Sequence, residues 1–227
     1  MSFFLSSLRQ RCNHKYADGD KCCGGIGVDK RDFLKWSQKY NKDQGWLVQV
    51  ERELGARFRR LKVMSKADLA EVVEWKFNDD EAKKIRVLEL VARNDEALVK
   101  LASSQAFNLP VDDGAFRMNC LMMLEGVSPV LASVILAFFD PKQYGVFDVY
   151  AWRALLGNEA SNLFSTINYL KLLLALRKTA AKHNLDVRTV EKALVKKKLE
   201  ESGVVGNRSQ RKSGRSTAKP KTRIKKK

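Results

Sequence analysis

The length and composition of the chain exclude a small disulfide-stapled peptide and favour one or two globular domains with a partner of opposite charge. Its 227 residues are enough to bury a core, and a hydrophobic content of 44% is ordinary for a globular protein. Residues 203–227 contain ten Lys or Arg and no acid, which leaves +7 of the net charge of +17 for the remainder, so both parts favour a polyanion such as nucleic acid.

The first 28 residues are interpreted as an N-terminal extension that ends in a Gly-rich loop. The start has too short an apolar stretch for a signal peptide, and an organelle transit peptide stays an open alternative. Four residues here, Cys12, His14, Cys22 and Cys23, are potential zinc ligands. Because adjacent cysteines and a Cys-x-His pair differ from the usual finger spacings, no metal site is assigned, and reduced thiols in an intracellular protein are expected.

From residue 29 onward the pattern is helical. Asp29 can cap a first helix whose apolar face includes Phe33, Leu34 and Trp36, and a second amphipathic helix is predicted over 46–63. Ser65 followed by Asp68 is typical of a capping box, which opens a third helix. Five more helices are predicted over 79–93, 95–106, 112–124, 159–183 (nearly apolar all round) and 186–202.

No segment with the alternating pattern of a β-strand and no β-hairpin turn signal interrupts these helices. The fold class is therefore all-α, with one domain over 29–202 and a disordered basic tail over 203–227, whose composition cannot bury enough apolar surface to fold. The most apolar stretch, 163–176, is interrupted by Lys171 and is too short to span a bilayer, so a soluble protein without a membrane partner is expected.

A tight reversal is predicted between Leu124 and Pro129. Gly126 permits the positive φ that so short a turn needs, Ser128 is a good helix cap, and Pro129 fits the first position of the helix. Such a turn leaves backbone N–H groups free at the positive end of a helix dipole, which can bind a phosphate without a basic side chain. An ordinary corner between two packed helices is the alternative.

Two segments here resemble a known family. The segment LEGVSPVLASVIL resembles the helix-hairpin-helix motif, usually written L-P-G-V-G-x-x-x-A, of the base-excision DNA glycosylase superfamily. The segment FDVYAWRAL resembles the V-D-x-H-x-x-R segment that follows that motif, and Asp148 lies eighteen residues after Val130, as in the endonuclease III branch. The strong resemblance covers about 34 residues. It implies a helical glycosylase-like domain that binds DNA through Gly126, Val127, Ser128 and Val130.

The chain also departs from the family pattern. Val130 stands where bifunctional members carry the lysine that attacks the sugar, and no cysteine quartet for an iron–sulfur cluster follows. Ser128 replaces the second hairpin glycine, and Tyr150 replaces the frequent histidine. The resemblance therefore implies a monofunctional glycosylase that uses water and no cofactor, rather than a standard lyase.

Asp148 is the residue to which the resemblance assigns the chemistry. Breaking the bond between a base and deoxyribose develops positive charge on the sugar, which a carboxylate stabilises while it orients or deprotonates a water. The alternative is that Asp148 only caps the helix 149–156. Tyr150, Trp75 and Lys76 are candidates for a pocket that receives an extruded base, Lys76 could in principle replace the hairpin lysine, and Trp152 is expected in the core.

These observations predict a DNA-repair glycosylase that acts as a monomer on double-stranded DNA with a damaged or mismatched base. The expected location is intracellular, in the nucleus of a eukaryote or otherwise in the cytoplasm and nucleoid. A non-catalytic nucleic-acid-binding protein that kept the hairpin is the alternative, and a chromatin-type protein bound through its tail is a third interpretation.

Overall fold

The computed structural model describes residues 29–110, 113–157 and 162–203. The proposed N-terminal extension with Cys12, His14, Cys22 and Cys23, and the predicted tail from residue 204 onward, lie outside the described residues. The described part contains ten α-helices and no strand, which confirms the all-α prediction. They are α1 (Lys30–Asp43), α2 (Gly45–Leu61), α3 (Lys66–Lys76), α4 (Glu81–Val91), α5 (Glu96–Asn108), α6 (Gly114–Met122), α7 (Pro129–Phe139), α8 (Val149–Leu156), α9 (Thr166–His183) and α10 (Val187–Glu201).

Local capping explains where several helices begin. Asp29 and Asp32 form a capping box at α1, and Ser65 and Asp68 form the predicted capping box at α3. In both, each side chain accepts a hydrogen bond from the backbone N–H of the other residue. Asp186 precedes α10 as predicted, although its side chain makes no cap hydrogen bond.

Helix α7 lies at the centre of the fold and packs against α2, α3 and α6. Every residue from Leu131 to Phe139 is buried, because eight of these nine side chains are apolar. Helix α2 comes close to the carboxyl end of α7, where a Cβ at Gly55 would lie 2.5 Å from the carbonyl oxygen of Phe138. The Arg59 guanidinium donates to the same oxygen at 2.7 Å and so caps α7.

The second group of helices surrounds α10, which packs against α1, α8 and α9. Helix α8 packs against α9 and α10, and α9 also contacts α6 and α7. Asp148 precedes α8, so this arrangement places it where the α7 group of helices meets the α10 group.

Two expectations about apolar faces are corrected. Leu34 was expected on the buried face of α1, but it is exposed, and Phe33 alone of the three apolar residues predicted there is fully buried. Helix α9 was expected to be apolar on nearly all sides, but it is not buried on all sides, because its apolar residues Ile167 and Leu174 are mostly exposed. It begins at Thr166 rather than at 159. Within the described ranges, no helix is both long and apolar enough to cross a membrane.

Candidate functional site

The turn between α6 and α7 requires glycine at position 126. Gly126 has φ of +80°, a backbone conformation that side chains with a Cβ rarely adopt. A Cβ there would also lie 2.9 Å from the Cβ of Leu90 and 3.0 Å from Cγ1 of Val91. The turn is therefore pressed against the end of α4, where only a hydrogen atom fits.

Asn94 fixes this turn from the segment that follows α4. Its side-chain amide donates to the carbonyl oxygens of Val91 and Glu125, both at 3.0 Å, and its Oδ1 accepts the N–H of Glu125 at 2.8 Å. Asn94 is buried, so these bonds form away from competing water. The hairpin is consequently held in one conformation by residues that are distant in the sequence.

The hairpin presents unbonded amides at the start of α7. The N–H groups of Gly126, Ser128 and Val130 have no acceptor among the described residues. Pro129, which lies between the last two, has no N–H. Val127 differs, because its N–H donates to the carbonyl oxygen of Leu124 at 3.1 Å and its side chain is buried. Of the four residues expected to bind DNA, three have an N–H without an acceptor among the described residues, and Val127 supports the turn.

Ser133 connects the hairpin helix to the segment that carries Asp148. Its hydroxyl donates to the carbonyl oxygen of Val130 at 2.6 Å and accepts the N–H of Phe147 at 2.8 Å. Ser133 is fully buried, so neither bond competes with water. The backbone just before Asp148 is thus positioned relative to the first turn of α7.

Asp148 is held at the amino end of α8. Its Oδ1 accepts the N–H of Tyr150 at 2.8 Å, so the residue caps the helix as the sequence predicts. Its side chain keeps 23% of its exposure, and Oδ2 lies 4.0 Å from Nζ of Lys76. One carboxylate oxygen is therefore used by the helix, whereas the other faces a cation in a partly open position.

The structure brings together three of the four residues that were considered for chemistry and base recognition. Lys76, at the last position of α3, and Tyr150, in the first turn of α8, both lie beside Asp148 and are partly buried. Lys76 is 72 positions away from Asp148 in the chain, and only the packing of the helices brings the two together.

Trp75 has a different position from the one expected. It is buried, its Nε1 donates to the carbonyl oxygen of Leu47 at 2.8 Å, and its ring meets Phe138 edge to face with 4.9 Å between centroids. The indole therefore supports the end of α3 from within the core instead of lining the open side of the site. Trp152 is buried, as expected.

A buried ionic cluster lies behind Asp148. Arg188 donates through Nε and Nη2 to the two carboxylate oxygens of Glu51, at 3.0 and 2.9 Å, and through Nη1 to Glu191. Lys192 adds a contact of 3.1 Å to Glu51. Each nitrogen of the guanidinium therefore has a carboxylate partner, and the two cations balance the two carboxylates.

Within this cluster, burial raises the pKa of the two carboxyl groups, whereas the neighbouring cations lower it. Burial raises the pKa of Glu191, the Arg188 guanidinium opposes that rise, and the negative charge of Asp148 adds to it. Burial alone would raise the pKa of Glu51, but Arg188 and Lys192 together hold it below its ordinary value. The coupling of Glu191 to Asp148 links the cluster electrostatically to the candidate site.

Comparisons of the chain with protein-family models, with curated proteins and with solved structures give no match. The assignment of a function therefore depends on the two motif segments and on the geometry around them.

The sequence analysis assigned no role at this site to Asn94, Ser133, Arg188 or Glu191. Ser133 had a visible signal, since it is the one polar residue in the apolar run 130–139. Arg188 and Glu191 have the spacing of an ion pair on one helix face, which is also common on solvated surfaces. Nothing local distinguishes Asn94, because its partners belong to another segment.

Proposed function

We propose that this protein binds double-stranded DNA through the hairpin and hydrolyses the N-glycosidic bond of a damaged or mismatched base. Asp148 is the carboxylate that acts at the sugar, and the amides of Gly126, Ser128 and Val130 hold a phosphate of the same strand. The enzyme is monofunctional, so its product is an intact abasic site.

The observation that carries the proposal is the physical connection between the hairpin and Asp148. Ser133 bonds to both Val130 and Phe147, so a phosphate bound at the start of α7 has a defined position relative to the carboxylate. Such positioning is what a glycosylase requires, since its reacting sugar must stop at the carboxylate after the base leaves the stack.

The proposed chemistry uses the oxygen of Asp148 that the helix does not. The bond between C1′ and the base nitrogen breaks, and the electron pair leaves with the base while positive charge develops on the sugar. The carboxylate stabilises this charge and accepts a proton from the water that bonds to C1′. Tyr150, on the same helix turn, is a candidate to contact the extruded base, and Lys76 completes the wall of the site opposite Asp148.

Asp148→Asn tests the chemistry without removing the helix cap, because asparagine caps helices as well as aspartate. Duplexes containing uracil, an oxidised purine, an alkylated purine or a mismatch would be assayed for free base under single-turnover conditions. We expect base release from at least one duplex, a decrease of about a hundredfold in Asp148→Asn, and unchanged DNA affinity.

Asp80→Asn is a matched control, since Asp80 caps α4 with its side chain accepting the N–H of Lys83 at 3.1 Å. It should leave the rate of base release unchanged. Equal rates in the wild-type protein and Asp148→Asn would reduce Asp148 to a helix cap.

A second test concerns the type of product. Val130 offers no amine to the sugar, so borohydride should trap no covalent protein–DNA adduct, and strands should break only after alkali is added. Efficient trapping would contradict monofunctional hydrolysis, and loss of the adduct in Lys76→Arg would identify Lys76 as the nucleophile.

A non-catalytic DNA-binding protein is the second candidate function. Ser128 and Val130 favour it, because both depart from the family pattern within the hairpin while the unbonded amides remain. Tight duplex binding without release of any base from the panel would favour this function.

A further inference from the structure

Among the described residues, Lys76 is the one cation within ion-pair distance of Asp148. Helix α10 presents Glu191 to it, and Glu191 is paired with Arg188, which also holds Glu51 of α2 through its other nitrogens. Lys192 is paired with Glu51 as well. These two cations are thus already matched by two carboxylates, and Asp148 adds a third negative charge beside them.

Helices α8 and α9 supply no further cation contact to this carboxylate among the described residues. On α9, Tyr169 donates its hydroxyl to the carbonyl oxygen of Gly145, and burial raises its pKa, so it stays neutral. On α8 itself, the side chain of Arg153 is exposed and forms no ion pair within the described ranges. Lys76 of α3, with Nζ 4.0 Å from Oδ2, is the partner that the fold provides.

The Lys76–Asp148 pair is also protected from water more than an ordinary surface pair. The two side chains keep 19% and 23% of their exposure, whereas Arg93 and Glu125 near the hairpin keep 65% and 57%. Screening by water and salt is weaker at the more buried pair. Its separation is that of an ion pair and not of a hydrogen bond, which leaves Oδ2 free to accept a proton from another donor.

We propose that Lys76 is a positioning residue that acts through Asp148. Its ammonium group holds Oδ2 turned toward α3 while Oδ1 stays on the N–H of Tyr150. The catalytic consequence rests on the proposed glycosylase function, whereas the electrostatic pairing does not.

Lys76→Met and Lys76→Arg test this role, because the first removes the charge at similar length and the second retains it. Single-turnover base release would be measured between about pH 5 and 8, using the duplex that the panel identifies. We expect Lys76→Met to release base about tenfold more slowly than the wild-type protein across this range, equivalent to about 1.4 kcal/mol. Lys76→Arg should stay within about threefold of wild type at every pH.

Lys84→Met is the matched control. Lys84 is a lysine of similar exposure, 22%, whose Nζ pairs with Glu81 on the same helix at 2.7 Å. Its rate and pH profile should equal those of the wild-type protein. DNA affinity should be unchanged in all three variants.

Three results would overturn the proposal. Equal losses in Lys76→Met and Lys76→Arg would mean that the amine itself reacts. Weaker DNA binding with an unchanged saturated rate would mean that Lys76 contacts a phosphate. An unchanged rate in Lys76→Met would mean that Asp148 does not depend on this cation.

A readout without DNA separates this proposal from the proposed function. The carboxyl carbon of Asp148 would be observed by NMR in the free protein at neutral pH. Its chemical shift should differ from wild type in Lys76→Met and stay close to wild type in Lys76→Arg, even if no duplex yields a free base. An identical chemical shift in Lys76→Met and wild type would refute the pairing, whereas absence of base release with a changed chemical shift would refute the glycosylase function alone.

Discussion

At the scale of single residues, Gly126 and Gly157 allow two costs of replacing a glycine, backbone strain and steric clash, to be measured separately. Both have positive φ, +80° and +92°, but a Cβ at Gly157 would meet no described residue within 4 Å, whereas one at Gly126 would contact Leu90 and Val91. Substitution at Gly157 thus tests backbone strain alone, and substitution at Gly126 tests strain together with a steric clash.

We expect Gly157→Ala to lower the free energy of unfolding by about 1–3 kcal/mol, because φ of +92° with ψ of −171° lies in a region that is essentially restricted to glycine. Gly126→Ala should lower it by about 2–4 kcal/mol, since displacing packed neighbours adds about 1–3 kcal/mol, and it should also weaken duplex binding by shifting the hairpin amides. Urea unfolding and fluorescence anisotropy measure the two effects. A loss below about 1 kcal/mol in Gly126→Ala would mean that the turn is not pressed against α4.

At the scale of elements, the pairing of α2 with α10 depends on a buried ionic contact as well as on apolar packing. Glu51 of α2 accepts three contacts from Arg188 and Lys192 of α10. Because these cations hold the pKa of Glu51 below its ordinary value of 4.5, its charged form stabilises the folded state above that pH. The stabilisation is lost as pH falls through this value and through the lower pKa of the folded state.

Glu51→Gln should therefore lower the free energy of unfolding at neutral pH by about 3 kcal/mol, because it leaves buried cations with one carboxylate fewer. The difference from wild type should shrink as pH falls from about 5 toward 3. Urea unfolding at a series of pH values measures both effects. Glu53→Gln, an exposed position on the same helix, is the control and should change the free energy by less than about 0.5 kcal/mol. A difference for Glu51→Gln that is constant with pH would contradict the assigned ionic contact.

At the scale of the whole molecule, the distribution of charge predicts two contributions to DNA binding. Under the proposed function, the hairpin amides would bind through backbone dipoles and require a defined geometry, whereas the ten Lys and Arg of the segment 204–227 would contribute charge that attracts phosphate. Deleting residues 204–227 should flatten the dependence of log affinity on log salt by about 0.9 for each phosphate that this segment neutralises.

A variant of the full chain with these ten residues changed to glutamine should match the deletion, since the effect belongs to charge. Base release at saturating protein should stay within about threefold of wild type in both. A salt dependence that the deletion leaves unchanged would mean that the basic segment has another partner.

The fold class and most helix boundaries could be predicted from the sequence because their signals lie within a few residues. The capping boxes at Asp29 and Ser65, the proline at the start of α7 and the Asp148 cap all involve partners no more than three positions away. Amphipathic periodicity likewise predicted a helix over 46–63, close to the observed bounds of α2, Gly45–Leu61. Errors occurred at Leu34 and along α9, where the neighbouring helices decide which side is covered.

The sequence by itself thus determined an all-α chain with a glycine-dependent hairpin, an aspartate at a helix start and an excess of positive charge. Only the tertiary structure decided that Trp75 belongs to the core, that Asn94 and Ser133 fix the hairpin, and that Lys76 faces Asp148. The physical reason is the range of the interactions. Caps and periodicity act between neighbours along the chain, whereas burial and the pairing of charges 72 positions apart depend on how separate helices pack.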